Sequence, residues 1–111
     1  MQKFMVMYLT PFQNMQEWMK TPEAERKVQE EKMKSEWNTW MKANGAMIKE
    51  TNATGATTRV TTRGSVAVHN DLMLYSVIEA ESAEAAAEVF KTHPHFGIPD
   101  ATIEIMPIRP I

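Results

Sequence analysis

The sequence predicts an α+β sandwich, one antiparallel sheet with two main helices on a single face. Three observations predict it. The elements run strand, helix, strand, an irregular extended segment, then strand, helix, strand. The chain has 111 residues, enough for one domain with one modest core. Its clearest strands, near the start and around residue 75, are apolar on both faces.

Lys3 to Leu9 reads as the first strand, with Phe4, Val6 and Tyr8 pointing one way and Met5, Met7 and Leu9 the other. This apolar run is about half the length of a membrane span, and it lacks the small-residue cleavage site of a secretory leader. Thr10-Pro11 ends it. Phe12 to Lys20 forms a short helix bearing Met15, Trp18 and Met19. A longer helix restarts at Thr21-Pro22, with Thr21 as the expected cap, Pro22 at the first helical position, and Glu23 and Glu25 near the positive end of the dipole. It extends to about Ala43, with Met33, Trp37, Trp40 and Met41 on its apolar face, and Asn44-Gly45 stops it.

Ala46 to Glu50 is expected as the second strand. Thr51 to Gly64, rich in Thr, Asn and Gly, is expected as an exposed loop or irregular hairpin with Thr57 to Thr61 partly extended. Ser65 to His69 alternates weakly, and Asn70-Asp71 marks a turn. Leu72 to Ala80 is a strand, with Leu72, Leu74 and Ile78 opposite Met73, Tyr75 and Val77. Ser82 caps a helix from Ala83 to about Thr92, and Ala101 to Ile108 closes the sheet. Split β-α-β units in this order produce a ferredoxin-like sandwich, a single domain over residues 1–111. Two helices cover only one face of such a sheet. The other face is apolar too, so a homodimer that pairs the bare faces around a barrel-like interior is expected.

Net charge is −2, with no basic field for nucleic acid or an anionic membrane. The mixed charges from Glu23 to Glu36 describe a solvated helix face. Cysteine is absent, which removes disulfides, thiolate nucleophiles and Cys-based zinc sites. A cytoplasmic protein is expected. Ten methionines serve as adaptable core and interface filler. There is no Gly-rich phosphate loop and no Gly-x-Ser-x-Gly elbow.

His93-Pro94-His95, where a helix ends and a strand begins, is the main candidate for chemistry. Imidazoles exchange protons near neutral pH, so His93 or His95 is a candidate general acid or base. The plainer alternative has His93 complementing the helix dipole and His95 packing in the loop. His-x-His could also supply two metal ligands, with His69, Glu79 or Glu104 as a third, but no zinc signature is formed and no metal or other cofactor is expected. Tyr8, Trp18, Trp37, Trp40, Tyr75 and Phe96 are candidates to line an aromatic substrate pocket. Trp37 and Trp40, three apart on a helix, also suit core packing. His69 with Asp71 could form a dyad but suits a turn, and Arg59 and Arg63 are either an anion clamp or surface residues.

Several of these segments together resemble the YCII-related family. They are Lys3-Phe4-Met5-Val6-Met7-Tyr8, the Trp-containing helix ending in Asn44-Gly45, Tyr75-Ser76-Val77-Ile78-Glu79-Ala80-Glu81-Ser82, His93-Pro94-His95 and Ile103-Glu104-Ile105. The resemblance spans nearly the whole chain and implies a ferredoxin-like fold assembled as a dimeric α/β barrel. Some members pair a histidine on the first long helix with an acidic residue in an Asp-Pro step. Here Trp37 and Trp40 occupy that helix, and the step reads His93-Pro94. Another branch carries Asp-Gly-Pro-Phe, where this chain has Asn70-Asp71-Leu72. The resemblance therefore points to a branch without an assigned activity, not to the family's dehydrohalogenase chemistry.

Two functions fit. The first is a small-molecule-binding protein acting as a cofactor-independent enzyme, with proton transfer on an aromatic or cyclic substrate in a dimer cleft. There His93 or His95 would be the acid or base, and Tyr8 and Tyr75 would orient the substrate. The second is a non-catalytic metabolite-binding or scaffold dimer.

Overall fold

The structure, a computed structural model, describes residues 1–111. Its elements are β1 (Gln2–Leu9), α1 (Phe12–Met19), α2 (Glu23–Asn44), β2 (Ile48–Ala53), β3 (Thr57–Thr61), β4 (Gly64–Val68), β5 (Leu72–Ala80), α3 (Ala83–Phe90) and β6 (Thr102–Pro107). Short 3-10 turns occupy Gly45–Met47 and Pro94–Gly97. Four strands form an antiparallel sheet in the order β2-β5-β1-β6, the ferredoxin-like arrangement expected from split β-α-β units. The longest and most apolar strands, β1 and β5, take the centre, where both neighbours satisfy their backbones.

Alternation along β1 and β5 divides the sheet into two unlike faces. Phe4, Val6 and Tyr8 of β1 and Ile78 and Ala80 of β5 are buried against Trp40 of α2 and Ala86 and Phe90 of α3. On the opposite face, Met5, Met7 and Leu9 stand in register beside Val77, Tyr75 and Leu72 on one side and Met106, Glu104 and Thr102 on the other. No helix of the chain covers this second face. Its centre is apolar, and polar residues sit at its margins. Glu50 and Asn52 stand on edge strand β2, Glu104 on edge strand β6, and Glu79 pairs with Lys49 at 3.9 Å.

Two local expectations change. The second strand starts at Ile48, because Gly45–Met47 first closes a 3-10 turn. Thr21 does not cap α2. Pro22 holds the cap position with no side-chain hydrogen bond, and the Thr21 carbonyl instead accepts Arg26 Nε at 3.0 Å. After Ala53, the hairpin alternative holds and is regular: Thr57–Thr61 is extended as expected and pairs with β4. Its Thr and Val residues favour extended backbone, and Gly64, at φ 135°, supplies a turn conformation that other residues rarely adopt. This hairpin pairs with neither edge of the main sheet, and Val60 and Val66 on it are exposed. No helix is long and apolar enough to cross a membrane.

Candidate functional site

The exit from α3 builds the site. Ser82 caps the helix by accepting the Ala85 amide at 3.1 Å, and Phe90 buries the last turn. His93 then adopts φ −65° and ψ 135°, the extended conformation that the following proline favours. Its backbone stays tied to the helix through the His93 amide and the Phe90 carbonyl at 3.0 Å, while its ring turns inward toward α2.

The His93 ring sits in an aromatic box. Trp37 meets it edge to face at 4.3 Å between centroids and Trp40 at 4.5 Å; Tyr8 lies at 5.1 Å, and Phe90 is stacked at 5.7 Å. Only 2% of the residue is exposed. Burial, aided by repulsion from His95, pushes its pKa down to about 4, so the ring is neutral at physiological pH. Nδ1 accepts the His95 backbone amide at 2.9 Å. A nitrogen that accepts carries no proton, so the neutral ring carries its proton on Nε2. Nε2 is buried and has no hydrogen-bond partner. His93 as held is a hydrogen-bond donor at Nε2, not a base.

His95 is 1% exposed and serves a different purpose. Its Nε2 donates to the Leu9 carbonyl at 3.0 Å, which fastens the turn to the end of β1. Burial lowers its pKa, opposed by hydrogen bonding to the Leu9 and Thr102 backbone. Leu9 and Thr102 are paired across β1 and β6, so the ring closes the end of that ladder. Beside the pair, Tyr8 Oη lies 2.7 Å from Ser76 Oγ, which lies 2.7 Å from Thr51 Oγ1. This row of hydroxyls runs across three strands. Burial raises the Tyr8 pKa against the opposing Ser76 bond, so the phenol stays protonated.

Outside the box lies an open cleft of about 920 Å³ between α1, α2 and the 97–100 loop. Trp18, Met15, Met33, Met73 and Ile98 form its apolar lining, and Asn14, Asn38 and Lys34 are among its polar groups. Met73 sits where the β1–β5 register shifts, at a bulge. The loop edge is held by Asn14 Nδ2, which donates to Asp100 Oδ2 at 3.0 Å and to the Pro99 carbonyl at 3.1 Å. Asp100 itself has φ 61°. Trp37 belongs to both places: it lines the cleft and packs on His93.

The structure thus brings Tyr8, Trp37, Trp40, His93 and His95 together, and of these only Trp37 lines the cleft. It does not bring in Tyr75. Tyr75 pairs in register with Met7, on the sheet face opposite Tyr8, and its hydroxyl donates to Glu50 Oε2 at 3.2 Å. Joint orientation of one substrate by Tyr8 and Tyr75 within a protomer is therefore ruled out by strand alternation. Phe96 is 47% exposed and outside the cleft. His69 and Asp71 form no dyad: His69 stacks on Phe12 at 4.0 Å, and Asp71 accepts the Phe12 amide at 3.0 Å. Glu79 and Glu104 lie on the bare face, and no three His, Asp or Glu side chains converge as a metal site. Trp18, expected as a pocket-lining aromatic, does line this cleft, whereas sequence reasoning missed Ser76, a small polar residue buried on β5, and the contribution of Met33.

Fold and site together define a ferredoxin-like α+β fold with a buried histidine and aromatic cluster behind an open cleft. No family model matches the sequence, and no curated protein matches it. Among solved structures, the chain is similar to a 5-chloro-2-hydroxyhydroquinone dehydrochlorinase from Burkholderia phenoliruptrix AC1100, in complex with 2,5-dihydroxybenzoquinone. The two share 14% identity over 94% of this chain and 91% of that one, with a TM-score of 0.49.

Proposed function

We propose that this chain is a cytoplasmic small-molecule-binding protein that works as a homodimer and takes an aromatic or cyclic compound in the cleft between α1 and α2. One observation carries this reading: Trp37 lines the cleft and packs edge to face on the ring of His93, whose Nε2 is buried and unpartnered. Binding sites are typically apolar concavities with few polar groups, and unsatisfied buried polar atoms are rare enough to mark functional places. Where the protein is an enzyme, its chemistry is proton transfer without a bound cofactor. His93 then polarises a substrate oxygen by hydrogen-bond donation from Nε2 and keeps its proton, so it is neither the acid nor the base of that transfer.

The bare sheet face supports the homodimer. The chain exposes 7998 Å², against about 6,200 Å² for a compact monomer of this mass. Its radius of gyration is 15.8 Å, where about 13 Å is usual for this length. Pairing the faces through Met5, Met7, Val77 and Met106 would hide apolar surface that no helix reaches, in the manner of the YCII-related family. A thermal-shift screen of small cyclic ketones, phenols and lactones tests the binding reading. A hit raises the melting temperature of the native protein and loses its effect in Trp37→Ala. A screen with no hit, or hits untouched by Trp37→Ala, counts against the cleft.

The scaffold reading has its own support, because His95 is fully engaged in joining β1 to the 94–97 turn. A protein of that kind would dimerise normally and bind none of these compounds.

A further inference from the structure

We propose that the ligand of this cleft is a planar, uncharged conjugated carbonyl compound, and that its oxygen accepts a hydrogen bond from His93 Nε2–H once the Trp37 indole turns aside. This deepens the cleft reading and rests on it. Three features of the site select the ligand.

The first is polarity. The His95 amide occupies Nδ1, which leaves Nε2 as a buried donor with nothing to receive its proton. A ligand that satisfies it must bring an acceptor. The second is charge. The box around His93 consists of Trp37, Trp40, Tyr8 and Phe90, with no cation among them. Burying an anionic oxygen there would leave its charge uncompensated, so a carbonyl suits the place better than a carboxylate or phenolate. The third is shape. Trp18 and Trp37 with Met15 and Met33 line an apolar space suited to a flat ring, and methionine adapts to such surfaces.

Trp37 is also the mobile element that the geometry offers. Trp40 is pinned by its Nε1, which donates to Thr92 Oγ1 at 3.1 Å, and is buried. Trp37 is only half-buried and is held by ring contacts with Tyr8 and His93. Its indole lies between the cleft and the His93 ring and makes no hydrogen bond, so a change of its rotamer would uncover that ring.

The test uses two probes of nearly the same planar shape, acetophenone and α-methylstyrene, the second with a CH₂ group in place of the oxygen. Binding to the 111-residue chain is followed by fluorescence and by ¹H–¹⁵N spectra of the indoles and imidazoles. We expect acetophenone to bind about 3- to 10-fold more tightly, the yield of one net hydrogen bond. It should also move the His93 Nε2 proton signal downfield, and α-methylstyrene should not. His93→Phe should remove the preference between the probes. Should that variant fail to fold, the imidazole spectrum of the unaltered protein decides alone. Equal affinities with an unmoved His93 signal, while Trp18 and Trp37 respond, overturn the donor role and leave the cleft intact. Silence of both tryptophans toward both probes overturns the cleft reading, and this proposal with it.

Discussion

The backbone amide of His95 donates to Nδ1 of His93 at 2.9 Å, and this single bond decides what the histidine pair can do. It spends the basic nitrogen of His93 and places the ring's proton on Nε2. The same turn carries the His95 ring to the Leu9 carbonyl, so the two histidines divide their work: one faces the aromatic box, and the other fastens strand to turn.

That division predicts unequal mutants. His95→Phe keeps a ring in the site but removes the donor to the partly buried Leu9 carbonyl. It should cost about 1 to 3 kcal/mol of stability. Urea unfolding at neutral pH measures this. A variant as stable as the parent would show that the bond to Leu9 does not fasten the turn.

The buried histidines also set a pH dependence. His93 titrates at about 4 in the folded chain and near 6.5 when unfolded, and the His95 pKa is lowered as well. Between these values the unfolded chain binds more protons, so stability is full above about pH 6.5 and falls as pH drops toward 4. His93 alone should remove on the order of 2 to 3 kcal/mol by pH 4.5. Urea midpoints measured from pH 7.5 to 4.5 should fall accordingly, and less steeply in His93→Phe. A midpoint that is flat across this window would mean that the His93 ring is solvated.

The bare face makes its own prediction. Met7 stands at its centre, between Tyr75 and Glu104 in register and on the side away from the helices. Met5 stands on the same face between Val77 and Met106, so Met5→Lys should convert the proposed dimer to a monomer, because a partner sheet would then bury an unpaired ammonium. Monomer packing on the helix side should stay unchanged. Sedimentation equilibrium of parent and variant checks this. A monomeric parent, or a variant that still dimerises with the parent's affinity, would contradict face-to-face pairing.

The sheet was legible in the sequence because β1 and β5 alternate cleanly and are apolar on both sides. The same alternation implied a face without helices, and the coordinates put Met5, Met7 and Val77 there. Ser82 was recognisable as a cap because its chemistry is local. Local signals misled at Thr21, where the proline next to it took the cap position, and in the 57–68 segment they left loop and hairpin open, because its polar β-branched residues suit either. The histidine pair stood out, but its roles did not. The tautomer of His93 depends on one backbone amide two residues away, and the burial of its ring depends on Trp37 and Trp40 of α2, more than fifty residues earlier in the chain. Tyr75 and Phe96 were chosen for residue type alone. Strand alternation carried Tyr75 to the opposite face, and the turn left Phe96 at the surface.

The most direct measurement is to map, by backbone and indole ¹H–¹⁵N chemical shifts, where the strongest compound from the thermal-shift screen binds. The cleft account predicts that Trp18, Trp37, Gly97 and Ile98 move together, and that Trp40, behind them and bonded to Thr92, moves less. Shifts confined to Met5, Met7 and Val77 on the opposite face, with Trp18 and Trp37 still, would contradict it.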